Sequence, residues 1–247
     1  GNLNNVVDMP AILERGKRFN KEMNDMDDIQ CQMRKVGTAH LMGVMEKYDL
    51  LPVMNFKYGD HKDCHKIDME VWKKHFSQGI PDGCWLGCTM MCSKGIDDFE
   101  LRTGPYKGSK VLVDGPEYET AAALGSNLAI FDPLYVAEEN FYCDTYGICT
   151  ISWGNIMAFI MECWENGILN KERTGGLELY WGNAPAALEC MHQLARGEGF
   201  GLVAGLGVKK MKEMFIEKGW GDPDFLKDIA MENKGMEYSM YVSKESL

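Results

Sequence analysis

Apolar residues recur at helical spacing through most of the 247-residue chain. Near the start, Ile12, Leu13, Phe19 and Met23 fall on one side of a helix predicted over residues 10–35. The same spacing predicts further helices over residues 37–50, 69–77, 117–126, 133–146, 151–167, 183–196 and 200–218. Strand signals are nearly absent, so the pattern predicts a mostly α fold, an irregular multi-helical domain.

Residues that typically begin or end helices support several of these predicted helix boundaries. Asn183 is a favoured N-cap, and Pro185 follows it in the first turn of the predicted helix. Gly167 is typical of a helix end, and Pro52 cannot continue the second predicted helix. The run over residues 156–161 is apolar on most sides, which predicts a buried helix.

Composition and charge narrow the function classes. Hydrophobic residues make up 45% of the chain, which is enough for a sizeable core and argues against disorder. The formal net charge of −11 argues against a phosphate-binding surface and therefore against a nucleic-acid partner. No apolar run reaches the length of a membrane span, and no secretory signal opens the chain. Because the first residue is not Met, we expect the chain to begin inside a longer protein.

Three of the nine cysteines lie close together in the loop-like stretch 80–114. The odd cysteine count and the missing signal argue against disulfides and predict a reducing, cytoplasmic compartment. Gaps of three residues separate Cys84, Cys88 and Cys92, so their sulfurs can converge on one iron or zinc centre with a fourth ligand from elsewhere. A short apolar run over residues 111–113 predicts a strand in the same stretch.

Two other interpretations of the cysteine cluster stay open. In one, the chain is a non-catalytic helical module with structural zinc, to which Cys64 with His61 or His65 could add ligands. In the other, the three thiols are small buried side chains without any metal. The density of cysteines favours a metal over the second of these interpretations.

Four stretches together resemble the aldehyde:ferredoxin oxidoreductase family. They are the cysteine cluster and residues 115–126, 143–152 with 161–165, and 230–237, with weaker similarity at 37–38 and 51–56. The stretch that begins GPEYET is quite specific. The resemblance implies that residues 1–247 are the central helical part of the enzyme, with the N-terminal pterin-binding β domain and the C-terminal part outside them.

The family resemblance also implies cofactors and partners. Family members hold tungsten or molybdenum between two pterin dithiolenes, beside one [4Fe–4S] cluster. They oxidise aldehydes to acids or, in the branch with the tungsten subunit of benzoyl-CoA reductase, reduce an aromatic ring. We therefore expect a small organic substrate, a ferredoxin-like or iron–sulfur electron-transfer partner, and a homodimer. A mononuclear metal at a subunit interface is implied as well.

By resemblance, three cysteines and one carboxylate lie next to the metals. Cys84, Cys88 and Cys92 match cluster ligands, although the first gap is one residue longer than the usual family spacing. Glu119 matches a carboxylate near the metal, where it would act as a general base or proton relay. The alternative role for Glu119 is that of an acid favoured by the dipole in the first turn of a helix.

Further residues match the pterin-binding motifs of the family. Asp144 and Ile148 match pterin contacts, and Cys149 stands where the family often has Asp. The Cys149 thiolate would ligate tungsten or molybdenum, or it is a small side chain that only packs. Lys234 matches a lysine near the pterin. Glu232 stands where aldehyde oxidisers tend to carry a catalytic His, which weakens that reaction and leaves ring reduction open.

Glu138, Glu189 and His192 resemble the residues that bind a single metal between two subunits. Glu189 and His192 are three residues apart on a predicted helix, so they face the same way. An ordinary surface Glu–His pair is an equally good interpretation. The whole proposal requires the clustered cysteines to converge near a cavity lined by Asp144 and Glu119.

Overall fold

The computed structural model describes residues 5–26, 32–77 and 88–241. In that part of the chain the helices are α1 (Met9–Asn24), α2 (Gln32–Val36), α3 (Leu41–Lys47), α4 (Met69–His75), α5 (Tyr118–Leu124), α6 (Pro133–Tyr146), α7 (Thr150–Glu165), α8 (Ala184–Arg196), α9 (Gly201–Ala204), α10 (Gly207–Glu217) and α11 (Pro223–Asp228). Two antiparallel hairpins supply β1 (Gly95–Glu100) with β2 (Lys110–Asp114), and β3 (Glu232–Asn233) with β4 (Met236–Glu237). The dominance of helices confirms the predicted fold class.

Three of the predicted helices are divided in the structure. The one predicted over 37–50 is a 3-10 turn (Gly37–His40) followed by α3, and the one over 200–218 is α9 followed by α10. Gly207, at the break between α9 and α10, has a φ of +79°, which lies outside the right-handed helical region. The first predicted helix ends at Asn24, and α2 begins at Gln32.

The β1–β2 hairpin contains a strand that sequence analysis missed. β2 covers the predicted run 111–113, but its partner β1 carries two adjacent aspartates and a register shift between Ile96 and Phe99. Asp98 lies in that irregularity with a φ of +53°. A bulge of this kind breaks the alternation that identifies a strand in a sequence.

α5 and α7 form the centre of the core. α7 is buried without interruption from Trp153 to Cys163, which includes the predicted run 156–161. Gly154 allows α7 to approach α5 closely, because a Cβ there would lie 2.5 Å from the carbonyl oxygen of Ala123. The two helices are also joined at one end, where the hydroxyl oxygens of Thr120 and Thr150 lie 3.0 Å apart.

α1 is the helix with the least packing. Its predicted apolar face is exposed: Ile12, Leu13 and Phe19 each keep more than half of their surface in contact with solvent. Asp8 caps its start by accepting a hydrogen bond from the backbone N–H of Ala11 at 3.0 Å. In the part of the chain that the structure describes, no helix is long and apolar enough to cross a bilayer.

Candidate functional site

A cleft of about 400 Å³ lies where α5, α6 and α7 meet. Its described lining is Ser93, Asp114, Gly115, Glu117, Thr120, Asn140, Asp144, Ile148, Cys149 and Thr150. Three residues that the sequence predicted to contact a pterin, Asp144, Ile148 and Cys149, are therefore brought together. No Lys or Arg belongs to this described lining, so the cleft carries negative charge.

The turn between α6 and α7 explains how these three residues share one surface. Gly147 ends α6 in the left-handed conformation, with a φ of +70°, and its N–H bonds back to the carbonyl of Asp144. The N–H of Ile148 donates to the carbonyl of Cys143 at 2.8 Å, which completes the helix cap. The chain then reverses into α7, so residues on both sides of Gly147 face the cleft.

The opposite wall of the cleft is held by side-chain hydrogen bonds. The Asn140 amide donates to the carbonyl of Asp114, which fixes the end of β2 against α6. The Thr38 hydroxyl donates to the Glu117 carboxylate and accepts from the N–H of Tyr118 at 2.7 Å. Sequence analysis missed Glu117 as a cleft residue, and its position within GPEYET was the signal that could have identified it.

The cysteine loop reaches the same cleft. Ser93, which directly follows Cys92, is one of the lining residues. Cys88 and Cys92 are both half-buried. A Cβ on Gly37 would lie 2.5 Å from the carbonyl oxygen of Cys92, so only a glycine fits there. Cys84 lies outside the described residues, and its predicted role as a ligand stays a prediction.

Asp144 and Glu119 have different surroundings. Asp144 is exposed on the cleft, yet its neighbours displace enough water to raise the pKa of its carboxyl group. Glu119 is half-buried, and its Oε2 accepts a hydrogen bond from the N–H of Met240 at 2.8 Å. Burial raises the pKa of Glu119, and the Met240 hydrogen bond partly opposes this. Glu117 and Thr120 contact the cleft, whereas Glu119 is not in its described lining.

Comparisons with known proteins match the sequence of this chain to a family. The family described as "Aldehyde ferredoxin oxidoreductase, domains 2 & 3" matches residues 14–246. The chain belongs to this family. A tungsten-containing aldehyde ferredoxin oxidoreductase from Pyrococcus horikoshii is 30% identical over 218 residues, which cover 86% of this chain and 31% of that protein.

Two further proteins are also similar to this chain. The WOR-like subunit of an aliphatic sulfonate oxidoreductase from Pyrococcus furiosus is 34% identical over 161 residues, covering 63% of this chain and 24% of the subunit. The solved active-site complex BamBC of benzoyl-coenzyme A reductase with 1,5-dienoyl-CoA shares the fold, with a TM-score of 0.59 and 17% identity, over 93% of this chain and 33% of that one. The chain thus spans about a third of such relatives.

Two other residues predicted for the family site lie in the β3–β4 hairpin. Glu232 forms an ion pair with Lys212 of α10 at 2.7 Å and accepts a hydrogen bond from the N–H of Gly235, also at 2.7 Å. The Lys212 ammonium group lowers the pKa of Glu232. Lys234 is exposed at the turn with a φ of +57°. These contacts hold the hairpin together, and a catalytic Glu232 and a pterin-binding Lys234 stay predictions.

The predicted interface-metal residues have protein partners. Glu138 accepts hydrogen bonds from Arg102 and Thr103, Glu189 pairs with Arg196 at 2.7 Å, and the hydroxyl of Thr103 lies 3.0 Å from Nε2 of His192. Among the described residues, no three His, Cys, Asp or Glu side chains are grouped so that they could hold a metal ion. Glu138 is fully buried and Glu189 is paired with Arg196, so these side chains are not arranged to share one ion within the chain.

The residues suggested for a structural zinc site are also engaged elsewhere. Cys64 is buried, and burial raises the pKa of its thiol to about 12. The His61 ring stacks on Phe131 with centroids 4.7 Å apart, and a ring nitrogen of His65 lies 2.8 Å from the carbonyl oxygen of Lys62. The surroundings of Cys64, His61 and His65 therefore do not support the zinc alternative.

Proposed function

We propose that this chain forms one wall of a redox site in a tungsten-containing oxidoreductase, where a metal–pterin group lies beside an iron–sulfur cluster. The observation that carries the proposal is the position of Ser93. This residue follows Cys92 directly and lines the same cleft as Asp144, so the cysteine loop borders the surface predicted to bind a pterin.

Asp144 would hold the donor edge of the pterin. Its carboxylate receives no hydrogen bond from any described residue, so it is available to accept bonds from ring and amine N–H groups. A charge-assisted hydrogen bond of this kind is stronger than a neutral one. Glu117 and the negative charge of the described lining support a ligand that presents N–H donors. A bound tungsten or molybdenum ion would supply two-electron chemistry at this site.

Cys88 and Cys92 would ligate the iron–sulfur cluster, with Cys84 as a third ligand outside the described residues. Thiolates are the usual ligands of [4Fe–4S] clusters, and a fourth ligand is needed. Such a cluster accepts and releases single electrons, so it would connect the two-electron site to a ferredoxin-like protein or an iron–sulfur subunit. Cys149, exposed at the cleft, would either approach the metal or line the wall.

Glu119 would carry a proton for the reaction. Its pKa is raised towards neutral pH, and a group whose pKa is near the working pH can both bind and release a proton. The substrate would be a small organic molecule, either an aldehyde that is oxidised or an aromatic acyl-CoA that is reduced. The names of the relatives favour the aldehyde, whereas Glu232 in place of the expected His weakens aldehyde oxidation and leaves ring reduction open.

The test is Asp144→Asn in the whole cytoplasmic protein, purified without oxygen from cells supplied with tungstate. Loss of a charge-assisted bond should reduce the bound pterin and tungsten by roughly tenfold or more. The matched control is Asp228→Asn, which changes an exposed aspartate at the end of α11. Full tungsten and pterin content in Asp144→Asn would contradict the proposed pterin contact.

A further inference from the structure

Glu138 is a fully buried carboxylate on α6 that accepts four hydrogen bonds from protein groups. Its Oε1 accepts from the N–H groups of Arg102 at 2.9 Å and Thr103 at 2.6 Å, and from the Thr103 hydroxyl at 2.7 Å. Its Oε2 accepts from Nε of Arg102 at 2.9 Å. Three of these donors saturate Oε1 and one bonds to Oε2, so at most one lone-pair position of the carboxylate stays open, and the side chain has no exposed surface through which an ion shared with another subunit could reach it.

Arg102 supplies the positive charge that this buried carboxylate needs. Its guanidinium group lies over the Tyr135 ring, 4.1 Å from the centroid, while Nε bonds to Glu138. An arginine keeps its charge at every physiological pH, and stacking on an aromatic ring suits its flat, weakly hydrated head group. Glu138 and Arg102 therefore neutralise each other without an ion from solution.

His192 is 2% exposed and has no ring nitrogen left for coordination. Thr103 donates its only hydroxyl hydrogen to Glu138, so Nε2 of His192 must donate to the Thr103 oxygen, 3.0 Å away. Nδ1 then accepts a hydrogen bond from the Tyr146 hydroxyl at 2.9 Å. Burial lowers the pKa of His192, which agrees with a neutral ring that carries its proton on Nε2.

Two more contacts make this cluster rigid. The Tyr142 hydroxyl donates to the carbonyl of Thr103 at 2.6 Å. A Cβ on Gly104 would lie 2.4 Å from the His192 ring, so the loop after β1 packs directly on α8. The cluster links three parts of the chain: α6, α8 and that loop.

We infer that the Glu138–His192 cluster is a metal-free network in which Arg102 takes the place of the mononuclear metal implied by the family. Arg102 is then a positioning residue. It anchors the middle of α6, six residues before Asp144, and so fixes the helix end that forms the cleft. Glu189, paired with Arg196 on the outer surface, takes no part in the network.

Elemental analysis of the purified whole protein tests the absence of the metal. Glu189→Gln and His192→Gln are compared with the unchanged protein, with first-row metals expressed per chain. We expect no change, because neither residue coordinates an ion. Glu189 is half exposed, so its substitution leaves the fold intact. Loss of half to one metal ion per chain in either variant overturns the inference.

A double-mutant cycle tests the role of Arg102. Arg102→Met leaves the buried Glu138 carboxylate without its partner and should lower the melting temperature by roughly 10 °C, whereas Glu138→Gln leaves the partly exposed Arg102 and should lower it by less. The double variant removes both charges and should recover a substantial part of that loss. An unchanged melting temperature for Arg102→Met overturns the inference, because a metal would then neutralise Glu138. Failure of Arg102→Met to fold would agree with it, and the elemental analysis remains decisive.

Discussion

Two acidic residues of α6 have opposite surroundings. Glu138, in the middle of the helix, is fully buried and accepts four hydrogen bonds from Arg102 and Thr103. Asp144, near the last turn, is exposed on the cleft and receives no hydrogen bond from the described residues. A carboxylate held by several protein donors stabilises the fold, whereas one without protein donors is available for a ligand. The comparison therefore separates a stabilising network from a binding surface.

A substitution in the cysteine loop is the strongest test of the proposed binding surface. Cys92→Ala in the anaerobically purified protein should abolish the broad visible absorption of the iron–sulfur cluster, because a cluster ligand is lost. Cys163→Ala is the matched control, since this buried cysteine of α7 lies far from any predicted ligand position in the sequence. The protein should otherwise stay folded, as circular dichroism can check. An unchanged spectrum in Cys92→Ala would remove Cys92 from the cluster.

Substitution of Glu119 should have the next largest effect, which is measured as a loss of turnover. Glu119→Gln keeps an oxygen that can accept from the N–H of Met240 but cannot take up a proton, so turnover should fall by about 10²–10⁴-fold. Activity of the unchanged protein should rise as the pH passes upward through the raised pKa of Glu119, because a base must be deprotonated.

The control for Glu119 separates proton transfer from anchoring of the chain. Tyr118→Phe removes the hydrogen bond from the Tyr118 hydroxyl to the carbonyl of Met240, which is 2.7 Å long, and leaves Glu119 in place. An equal loss of turnover in both variants would show that Glu119 only holds the segment at Met240.

Stability measurements compare the two carboxylates of α6 directly. Glu138→Ala should lower the free energy of unfolding by about 3 kcal/mol, because the donors of Arg102 and Thr103 lose their buried acceptor and the partly exposed Arg102 loses its ion-pair partner. Asp144→Ala should change it by less than about 1 kcal/mol, as is usual for an exposed group. Urea denaturation of the two variants measures both values. Equal losses of unfolding free energy in the two variants would contradict the distinction between the buried network and the cleft.

The smallest effect is expected in the β3–β4 hairpin. Glu232→Gln should lower the free energy of unfolding by about 1.5 kcal/mol at pH 7, because the charge-assisted bond with Lys212 is lost. The folded-state pKa of Glu232 is lowered, so its contribution is present above the ordinary glutamate pKa and disappears as the pH falls through the lowered value. The difference between variant and unchanged protein should therefore vanish in acid. A large loss of turnover with normal stability would instead favour the predicted catalytic role.

Local signals predicted much of the helical framework. Asn183 accepts a hydrogen bond from the N–H of Ala186 as the N-cap of α8, with proline in the first turn, as the sequence indicated. The helices predicted over 133–146 and 151–167 correspond to α6 and α7, and Gly147 ends α6 in the left-handed conformation. These features depend on residues a few positions apart, which is the range over which sequence patterns are informative.

The family and the mostly α fold could thus be derived from the sequence by itself, because short motifs and hydrophobic spacing are local. Only the tertiary structure brought Arg102 to Glu138, 36 positions away, and Thr38 to Glu117, 79 positions away. Neither pairing has a sequence spacing that predicts it, because each depends on how separate elements pack. Whether a carboxylate binds a ligand or stabilises the fold depends on which donors the packing brings to it, and that is a property of the folded chain.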